Sequence, residues 1–319
     1  MGKVFSGEIL FIKSDKDGIP NRDPLADSDA RRIFGEEDGR ISLSDVSIKR
    51  DVRDYIQARY PDGGKDHDRY IFVREERTPE GKLMGRASLV QQIFRQAGID
   101  DKVLKTTEDK RQALCAHAFD ARAFGAVYSV AKDNFHVTGP VQFGWAHSLH
   151  AVETRYVQGT VVMPSTDSAV KDDGSEEGKT QGTIWTTWMA PFAVFAMPAI
   201  INATIAADTG LIPADVDLML EALWRGTLFR QARGRGMQAP LFLLHVEYQD
   251  PFFRLGYLEE NIRLDSKEEH PTRLADVVLD ITGLVERLAQ HQKQIATVRW
   301  WHNPELQLVG HLEGGQGEM

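Results

Sequence analysis

The stretch Arg40-Ile-Ser-Leu-Ser-Asp-Val-Ser-Ile-Lys-Arg-Asp-Val-Arg-Asp-Tyr-Ile56 predicts the helix around which the rest of the chain is organised. Ser44 stands where a helix N-cap accepts a hydrogen bond from a backbone N–H group. The apolar residues that follow recur at the spacing of one helix face, namely Ile48, Val52, Tyr55 and Ile56. We expect this face to pack on a core.

The same stretch carries a row of basic side chains. Lys49 and Arg53 are four residues apart and share a helix face, with Arg50 beside them. A helix N-terminus supplies backbone donors, and hydroxyl groups at Ser42, Ser44 and Ser47 would add to them. This combination predicts a cradle for a phosphodiester backbone. A surface helix with solvated charges is the alternative, and the pattern leaves it open.

Composition bounds the class of protein. A chain of 319 residues forms one elaborated domain or two. The net charge of −9 argues against a generally basic nucleic-acid binder but allows a local basic groove. The single cysteine, Cys115, excludes an internal disulfide framework and predicts a cytoplasmic location. The longest apolar run, residues 191–201, is too short to span a bilayer, and no signal-peptide segment is found at the N-terminus.

The pattern along the chain predicts an alternation of strands and helices. Strands are expected at 7–13, 70–73, 135–150, 155–163, 181–189, 191–201, 241–248, 275–280 and 295–301. Helices are expected at 88–97, 108–124, from Thr209 through Trp224 with Gly226 as a stop, and at 283–291. The Asp-rich stretch Ser14–Asp29 is expected to be a loop, and its spacing does not match an EF-hand. Gln142 falls on the polar face of the strand at 135–150.

The strands at 155–163 and 181–189 flank an acidic stretch that is too long for a hairpin turn. A long β-arm over residues 155–190 is therefore predicted. Its large apolar side chains are Met163, Ile184, Trp185 and Trp188. They are suited to wedging between stacked bases or packing on another subunit. Alternatively, they close a small core of the arm itself.

A second basic segment lies at residues 225–237. It contains Arg225, Arg230, Arg233 and Arg235, alternating with glycines and without any acidic residue. Glycine permits a close backbone approach while guanidinium groups grip phosphate, so the run predicts a binding segment rather than an unoccupied flexible loop. No Walker loop, nucleophile elbow or Cys-x-x-Cys pair is found, and no catalytic residue, metal site or cofactor is predicted.

Several segments, in order, resemble one family, the Cas-seven family of CRISPR-associated proteins, whose members form the backbone of type I Cascade. Subtype I-B is the branch that they resemble most. The segments are residues 18–24, 44–56, 119–125, 138–143, 201–203, 209–211 and 223–226. The sequence departs from the family pattern at Asn21-Arg22-Asp23-Pro24 and at Ala121, which leaves the RNA contacts within 18–24 open.

The resemblance implies an α+β fold: a modified RRM-like or ferredoxin-like antiparallel sheet with helices and a projecting β-hairpin thumb. One palm domain would span 1–319, with a helical, fingers-like insertion at 61–125 and the thumb at 155–190. Combining it with the residue patterns, we expect RNA contacts from Asn21, Arg22, Ser42, Ser44, Lys49, Arg50, Arg53, Gln142, Met163, Ile184, Trp185, Arg230, Arg233 and Arg235. Expected partners are CRISPR RNA, target DNA through the guide, copies of the chain and other Cascade subunits.

The function implied is non-catalytic: the protein would hold a guide RNA by its sugar-phosphate backbone and leave the base edges free for target recognition in antiviral defence. One alternative is a metal-dependent ribonuclease like the backbone proteins of type III effectors, using Asp15, Asp17 or Asp23. A regulator that binds nucleic acid alone is a third reading, although it does not need a long arm.

Overall fold

The computed structural model describes residues 2–100, 103–130, 133–161 and 184–313, together with the backbone of two short strands between 162 and 183. The strands are β1 (Gly7–Gly18), β2 (Ser42–Leu43), β3 (Gly125–Val130), β4 (Asp133–Thr138), β5 (Val141–Phe143), β6 (Ala146–Ser148), β7 (Arg155–Thr160), β8 (Ala169–Val170), β9 (Glu176–Glu177), β10 (Ile184–Ile201), β11 (Met237–Tyr248), β12 (Arg263–Ser266), β13 (Val277–Asp280), β14 (Ile295–His302) and β15 (Gln307–Val309). The α-helices are α1 (Asp45–Arg59), α2 (Arg86–Gln96), α3 (Thr107–His117), α4 (Phe119–Phe124), α5 (Ala203–Thr209), α6 (Pro213–Phe229) and α7 (Thr282–Gln290).

The main sheet is antiparallel and is built around β1. Its strand order is β14-β11-β1-β10-β6-β2, and β5 and β7 also pair with β10. Side chains of β1 alternate between two apolar clusters: Ile9 and Phe11 enter one, and Leu10 and Ile12 enter the other. Because successive residues of a strand point to opposite faces, β1 is buried on both sides. The predicted α+β class with an antiparallel sheet backed by helices is confirmed.

Helices cover one face of this sheet, and a smaller sheet with one helix covers the other. The first cluster receives the apolar faces of α1, α4 and α6. The second receives α7 and the three-stranded sheet β12-β13-β15. A third cluster joins α2, α3 and the hairpin β3–β4 around Ile93 and Leu114.

The division into a palm, an insertion at 61–125 and an arm at 155–190 stays a prediction. None of the described helices is long and apolar enough to cross a bilayer.

Four boundary predictions are corrected. Residues 14–18 belong to β1 rather than to a loop, since Ser14 to Lys16 pair with β10 on one side and β11 on the other. The segment 70–73 is not a strand and forms only an isolated bridge between Tyr70 and Ala118. The helix expected at 108–124 is interrupted at Ala118, whose backbone is extended. The strand expected at 135–150 is three short strands, β4, β5 and β6.

Gly226 does not stop α6, which continues to Phe229. A Cβ atom at Gly226 would lie 2.6 Å from the carbonyl oxygen of Asp51 in α1. The glycine is therefore a contact residue that lets the two helices approach closely, and the sequence pattern alone read it as a terminator. Helix α5 was not predicted.

The strand β10 is one continuous element where the sequence predicted two. Residues Ile184 to Met189 pair with β7, and Ala190 to Ile201 pair with β1. At about 3.3 Å per residue, 18 residues extend roughly 60 Å. The residues predicted as the return strand of the arm are thus the first part of a strand that continues into the centre of the sheet. Met163 and most of the acidic segment Pro164–Thr180 lie outside the described residues.

Candidate nucleic-acid interface

A groove of about 660 Å³ lies where the end of β1, the start of α1, the segment 73–84 and the segment 230–235 meet. We call it the arginine groove. Its lining includes seven arginines and one carboxylate, that of Glu75. The arginines are Arg22, Arg50, Arg53, Arg74, Arg230, Arg233 and Arg235. A protein with a net charge of −9 therefore has a groove rich in arginine, which its composition allowed.

The two basic segments that lie far apart in the sequence converge here. Arg50 and Arg53 come from α1, while Arg230, Arg233 and Arg235 follow the C-terminus of α6. The helices bring them together because α1 and α6 pack on the same face of the sheet through one apolar cluster. The fold therefore brings two basic segments that are distant in the sequence into one groove.

Asp51 is the buried hub of the arginine groove. Its carboxylate accepts hydrogen bonds from Lys13 at 2.9 Å, Arg230 at 2.7 Å and Arg235 at 3.1 Å. Burial alone would raise the pKa of Asp51, but attraction by these cations lowers it below its usual value. Because a buried charge needs a partner, Asp51 holds the arginine segment against α1.

Asp15 lies beneath the same segment, with only 1% of its surface exposed. Burial raises the pKa of Asp15 to about 8, although Lys13 and Arg235 oppose the shift. Neither carboxylate oxygen has a hydrogen-bond partner among the described residues. A Cβ atom at Gly236 would lie 2.5 Å from Asp15 Oδ1, so the backbone at residue 236 packs directly on this side chain.

Asn21 joins the segment after β1 to the start of α1. Its Oδ1 atom accepts hydrogen bonds from the backbone N–H and from the hydroxyl of Ser44, both at 2.9 Å. Ser44 occupies the N-cap position but makes no side-chain cap hydrogen bond, so its predicted role as a cap acceptor is wrong. Its hydroxyl donates to Asn21 instead.

Arg22 ties three segments together through backbone carbonyls. It donates to Trp188 at 3.1 Å in the arm strand and to Gly234 at 3.0 Å in the arginine segment. Burial lowers the pKa of Arg22, although Asp29 opposes the shift. The side chain lines the groove and also fixes its shape.

Arg233 is the groove arginine that is most available for a ligand. It is exposed, and no ion pair joins it to another residue of the described part of the chain. Its guanidinium carbon lies 4.6 Å from the centroid of the Trp185 ring. Arg50 is the other accessible cation, with 48% of its side chain exposed despite its pair with Asp54.

Some predicted contacts do not line the groove. Ser42 is 1% exposed and its hydroxyl is hydrogen-bonded to Nδ1 of His147, and its RNA contact stays a prediction. Lys49 pairs with Asp45, and Gln142 donates to the carbonyl of Gly139. Neither residue belongs to the groove lining.

The arm residues occupy different environments. Ile184 is 59% exposed, whereas Trp185 is partly covered and contacts both Arg233 and Gly159. Met163 lies outside the described residues.

The early acidic residues do not share the loop that the ribonuclease alternative assumed. Asp15 and Asp17 belong to β1, and Asp15 is buried. Asp23 accepts a hydrogen bond from the backbone N–H of Leu25. Within the described ranges, no group of three or more His, Cys, Asp or Glu side chains is arranged to hold a metal ion.

Sequence reasoning missed three features of the site. Asp51 lies in α1 between basic residues, and nothing in the sequence pattern indicates that it is buried. Asp120, which pairs with Arg53, is 0% exposed in α4. The wall formed by Val73, Leu83 and their neighbours comes from a segment without a motif.

Comparisons with known proteins agree with this geometry. A family model described as CRISPR-associated protein Cas7 matches residues 6–282. A curated CRISPR-associated protein Cas7 of Haloferax volcanii is 28% identical over 314 residues, covering 91% of this chain and 85% of that protein.

Two solved structures are similar in fold. A chain of a CRISPR RNA-guided surveillance complex in a pre-nicking state matches at 14% identity with a TM-score of 0.53, covering 96% of each chain. A chain of another CRISPR RNA-guided surveillance complex matches at 14% identity with a TM-score of 0.50, covering 96% of this chain and 95% of that one. Taken together with the family match over residues 6–282, these findings show that the chain belongs to the CRISPR-associated protein Cas7 family.

Proposed function

We propose that this protein is the backbone subunit of a type I Cascade complex and binds CRISPR RNA in the arginine groove. The observation that carries the proposal is the convergence of two basic segments into one groove with seven arginines and a single carboxylate. Guanidinium groups suit phosphate because they donate bidentate, charge-assisted hydrogen bonds.

The arginine groove would contact the sugar-phosphate backbone of the RNA rather than the base edges. Arg50 and Arg233 supply accessible positive charge, while Arg53, Arg230 and Arg235 are paired with Asp120 and Asp51 and hold the groove together. Sequence reading is then left to base pairing between guide and target DNA, which is how RNA-guided recognition works in general.

Several copies would assemble along one guide RNA, together with other Cascade subunits. The strand pair β7–β10 supports this proposal, since Tyr156 of β7 and Ile184 of β10 have 52% and 59% of their surface exposed. Exposed apolar side chains on a strand pair are typical of a surface that contacts a partner.

The test is co-expression of the chain with its CRISPR RNA and partner subunits, followed by measurement of the RNA retained on purification. We expect the intact complex to retain RNA and the double variant Arg50→Ala/Arg233→Ala to retain much less. Arg254→Ala, at an exposed arginine outside the groove lining, is the matched control. A wild-type preparation with a protein-only ultraviolet spectrum contradicts the proposal.

We also propose that the chain holds RNA without cleaving it. Asp15, the earliest of the acidic candidates, is buried beneath Gly236 and so lies away from solvent. Incubation of the complex with complementary RNA and magnesium should leave that RNA intact. Periodic cleavage that is lost in an Asp23→Ala variant would establish the ribonuclease alternative.

A further inference from the structure

One wall of the arginine groove is apolar. Val73 and Leu83 lie on the segment 73–84, and Val46 lies in the first turn of α1. Their exposed fractions are 47%, 62% and 64%, which are high for large apolar side chains that share a groove. An exposed apolar surface within a binding site marks where a ligand places its own apolar part.

One buried carboxylate, that of Asp120, ties the start of this wall to Arg53 of α1. Asp120 accepts hydrogen bonds from the backbone N–H groups of Phe72 at 2.7 Å and Val73 at 3.0 Å. It also accepts one from Nε of Arg53 at 2.8 Å. The position of Val73 relative to Arg53 is therefore fixed by one buried side chain.

Leu83 is presented by a closed turn. Thr78 donates its backbone N–H to the carbonyl of Lys82 at 2.8 Å, and Gly81 donates to Thr78 at 2.8 Å. Met84 donates to Glu76 at 2.9 Å, and an isolated bridge joins Arg77 to Leu83. These backbone hydrogen bonds fix the turn, and they hold Leu83 in its exposed position.

The apolar wall provides little accessible positive charge for a phosphate. Arg74 has only 8% of its side chain exposed and is engaged by Glu76, Gln92 and the carbonyl of Ile71. Glu75 is acidic and pairs with the exposed Arg77. The accessible cations, Arg50 and Arg233, come from α1 and the arginine segment instead.

We propose that Val46, Val73 and Leu83 form a surface on which the faces of unpaired RNA bases pack, while the phosphates lie along Arg50 and Arg233. The proposal rests on the proposed function and adds the orientation of the strand in the groove. Every base has an apolar π-face, so such packing tolerates any guide sequence and leaves the hydrogen-bonding edges free. A duplex, whose base faces are stacked inside, cannot use this wall.

The experiment compares two single strands of equal length and charge. One is oligoadenylate, and the other is an abasic ribose-phosphate strand, which keeps the phosphates but lacks the bases. We expect the purified protein to bind oligoadenylate at least about fivefold more tightly, because base packing contributes about 1–3 kcal/mol per base. The double variant Val73→Ser/Leu83→Ser should lose that preference and bind the abasic strand as the wild type does.

Leu228→Ser is the matched control, since Leu228 is 52% exposed but does not line the groove. Equal wild-type affinity for the two strands would overturn the inference while leaving the proposed function intact. An equal loss of both affinities in the double variant would also overturn it. A changed oligomeric state in the absence of RNA, with RNA affinity unchanged, would assign the wall to contact between copies of the chain. Failure of the wild type to bind either strand would instead contradict the proposed function.

Discussion

The guanidinium carbon of Arg233 lies 4.6 Å from the centroid of the Trp185 ring, and this contact joins the arginine segment to the start of β10. In the sequence, the two residues are separated by most of β10 and by two helices, α5 and α6. A cation over an indole ring is stabilised by the ring quadrupole, and the outer face of the guanidinium stays free for phosphate. We therefore expect a ligand bound at Arg233 to change the environment of Trp185.

Two substitutions of Arg233 should distinguish the contribution of its charge to RNA binding from that of its stacking on Trp185. We expect Arg233→Ala to weaken RNA binding and to make the plot of log affinity against log salt shallower by about 0.7, the value for one phosphate contact on a single strand. Arg233→Lys should keep the salt slope but bind more weakly, because an ammonium group does not stack as a guanidinium does. Titrations at several salt concentrations measure both. An unchanged slope in Arg233→Ala would mean that no phosphate is bound there.

Gly159→Ala should disturb the contact between Arg233 and Trp185 by displacing the ring. A Cβ atom at Gly159 would lie 2.3 Å from Cζ2 of Trp185, so the ring has to move. We expect altered tryptophan fluorescence and a loss of RNA affinity comparable with that of Arg233→Ala. Gly85→Ala is the control, because nothing lies within 4 Å of a Cβ atom at that position. Wild-type fluorescence and affinity in Gly159→Ala would show that the stack does not depend on the glycine.

Asp51→Asn should destabilise the fold. The substitution leaves Lys13, 2% exposed, and Arg235, 8% exposed, without their shared carboxylate. Breaking a buried pair in this way costs about 3–5 kcal/mol of unfolding free energy. Asp54→Asn removes a partly exposed carboxylate that pairs with Arg50, and should cost less than about 1 kcal/mol. Urea denaturation of both variants checks the difference, and similar midpoints would contradict the role of Asp51 as a hub.

Asp15 should make stability depend on pH. Burial raises its pKa from 3.8 to about 8, so the folded state retains a proton that the unfolded state loses between these values. Its contribution to stability is therefore fully present below pH 4 and is lost as the pH rises towards 8. Asp15→Asn keeps a neutral side chain at every pH. We expect the variant to gain stability over the wild type as the pH rises from 4 to 8.

The difference in unfolding free energy between Asp15→Asn and the wild type, followed from pH 4 to pH 9, isolates this group from the other titrating residues. We expect this difference to be larger at pH 8.5 than at pH 4 by more than about 1 kcal/mol, since a shift of one pKa unit corresponds to about 1.4 kcal/mol. A difference that does not vary with pH would show that Asp15 is ionised in the folded protein.

The sequence by itself determined the elements that depend on local pattern. The apolar spacing of α1 and the run of arginines between glycines at 230–236 were both readable, because each depends on neighbouring residues. The antiparallel α+β class followed from the strand patterns together with the family resemblance. The boundaries that failed, at Gly18 and Gly226, are places where a distant segment decides the outcome: pairing with β10 and β11 extends β1, and close contact with α1 keeps Gly226 inside α6.

The tertiary structure alone decided which charges are available. Arg50 and Arg53 look alike in the sequence, but Asp120 from α4 pairs with Arg53 and leaves it 8% exposed, while Arg50 remains at the surface. Likewise, Asp51 pairs with Arg235, whereas Arg233 lies over Trp185. The physical reason is that burial and ion pairing depend on the positions of residues that the chain brings together only on folding. Residue type fixes the charge, and the fold fixes which charges can bind a ligand.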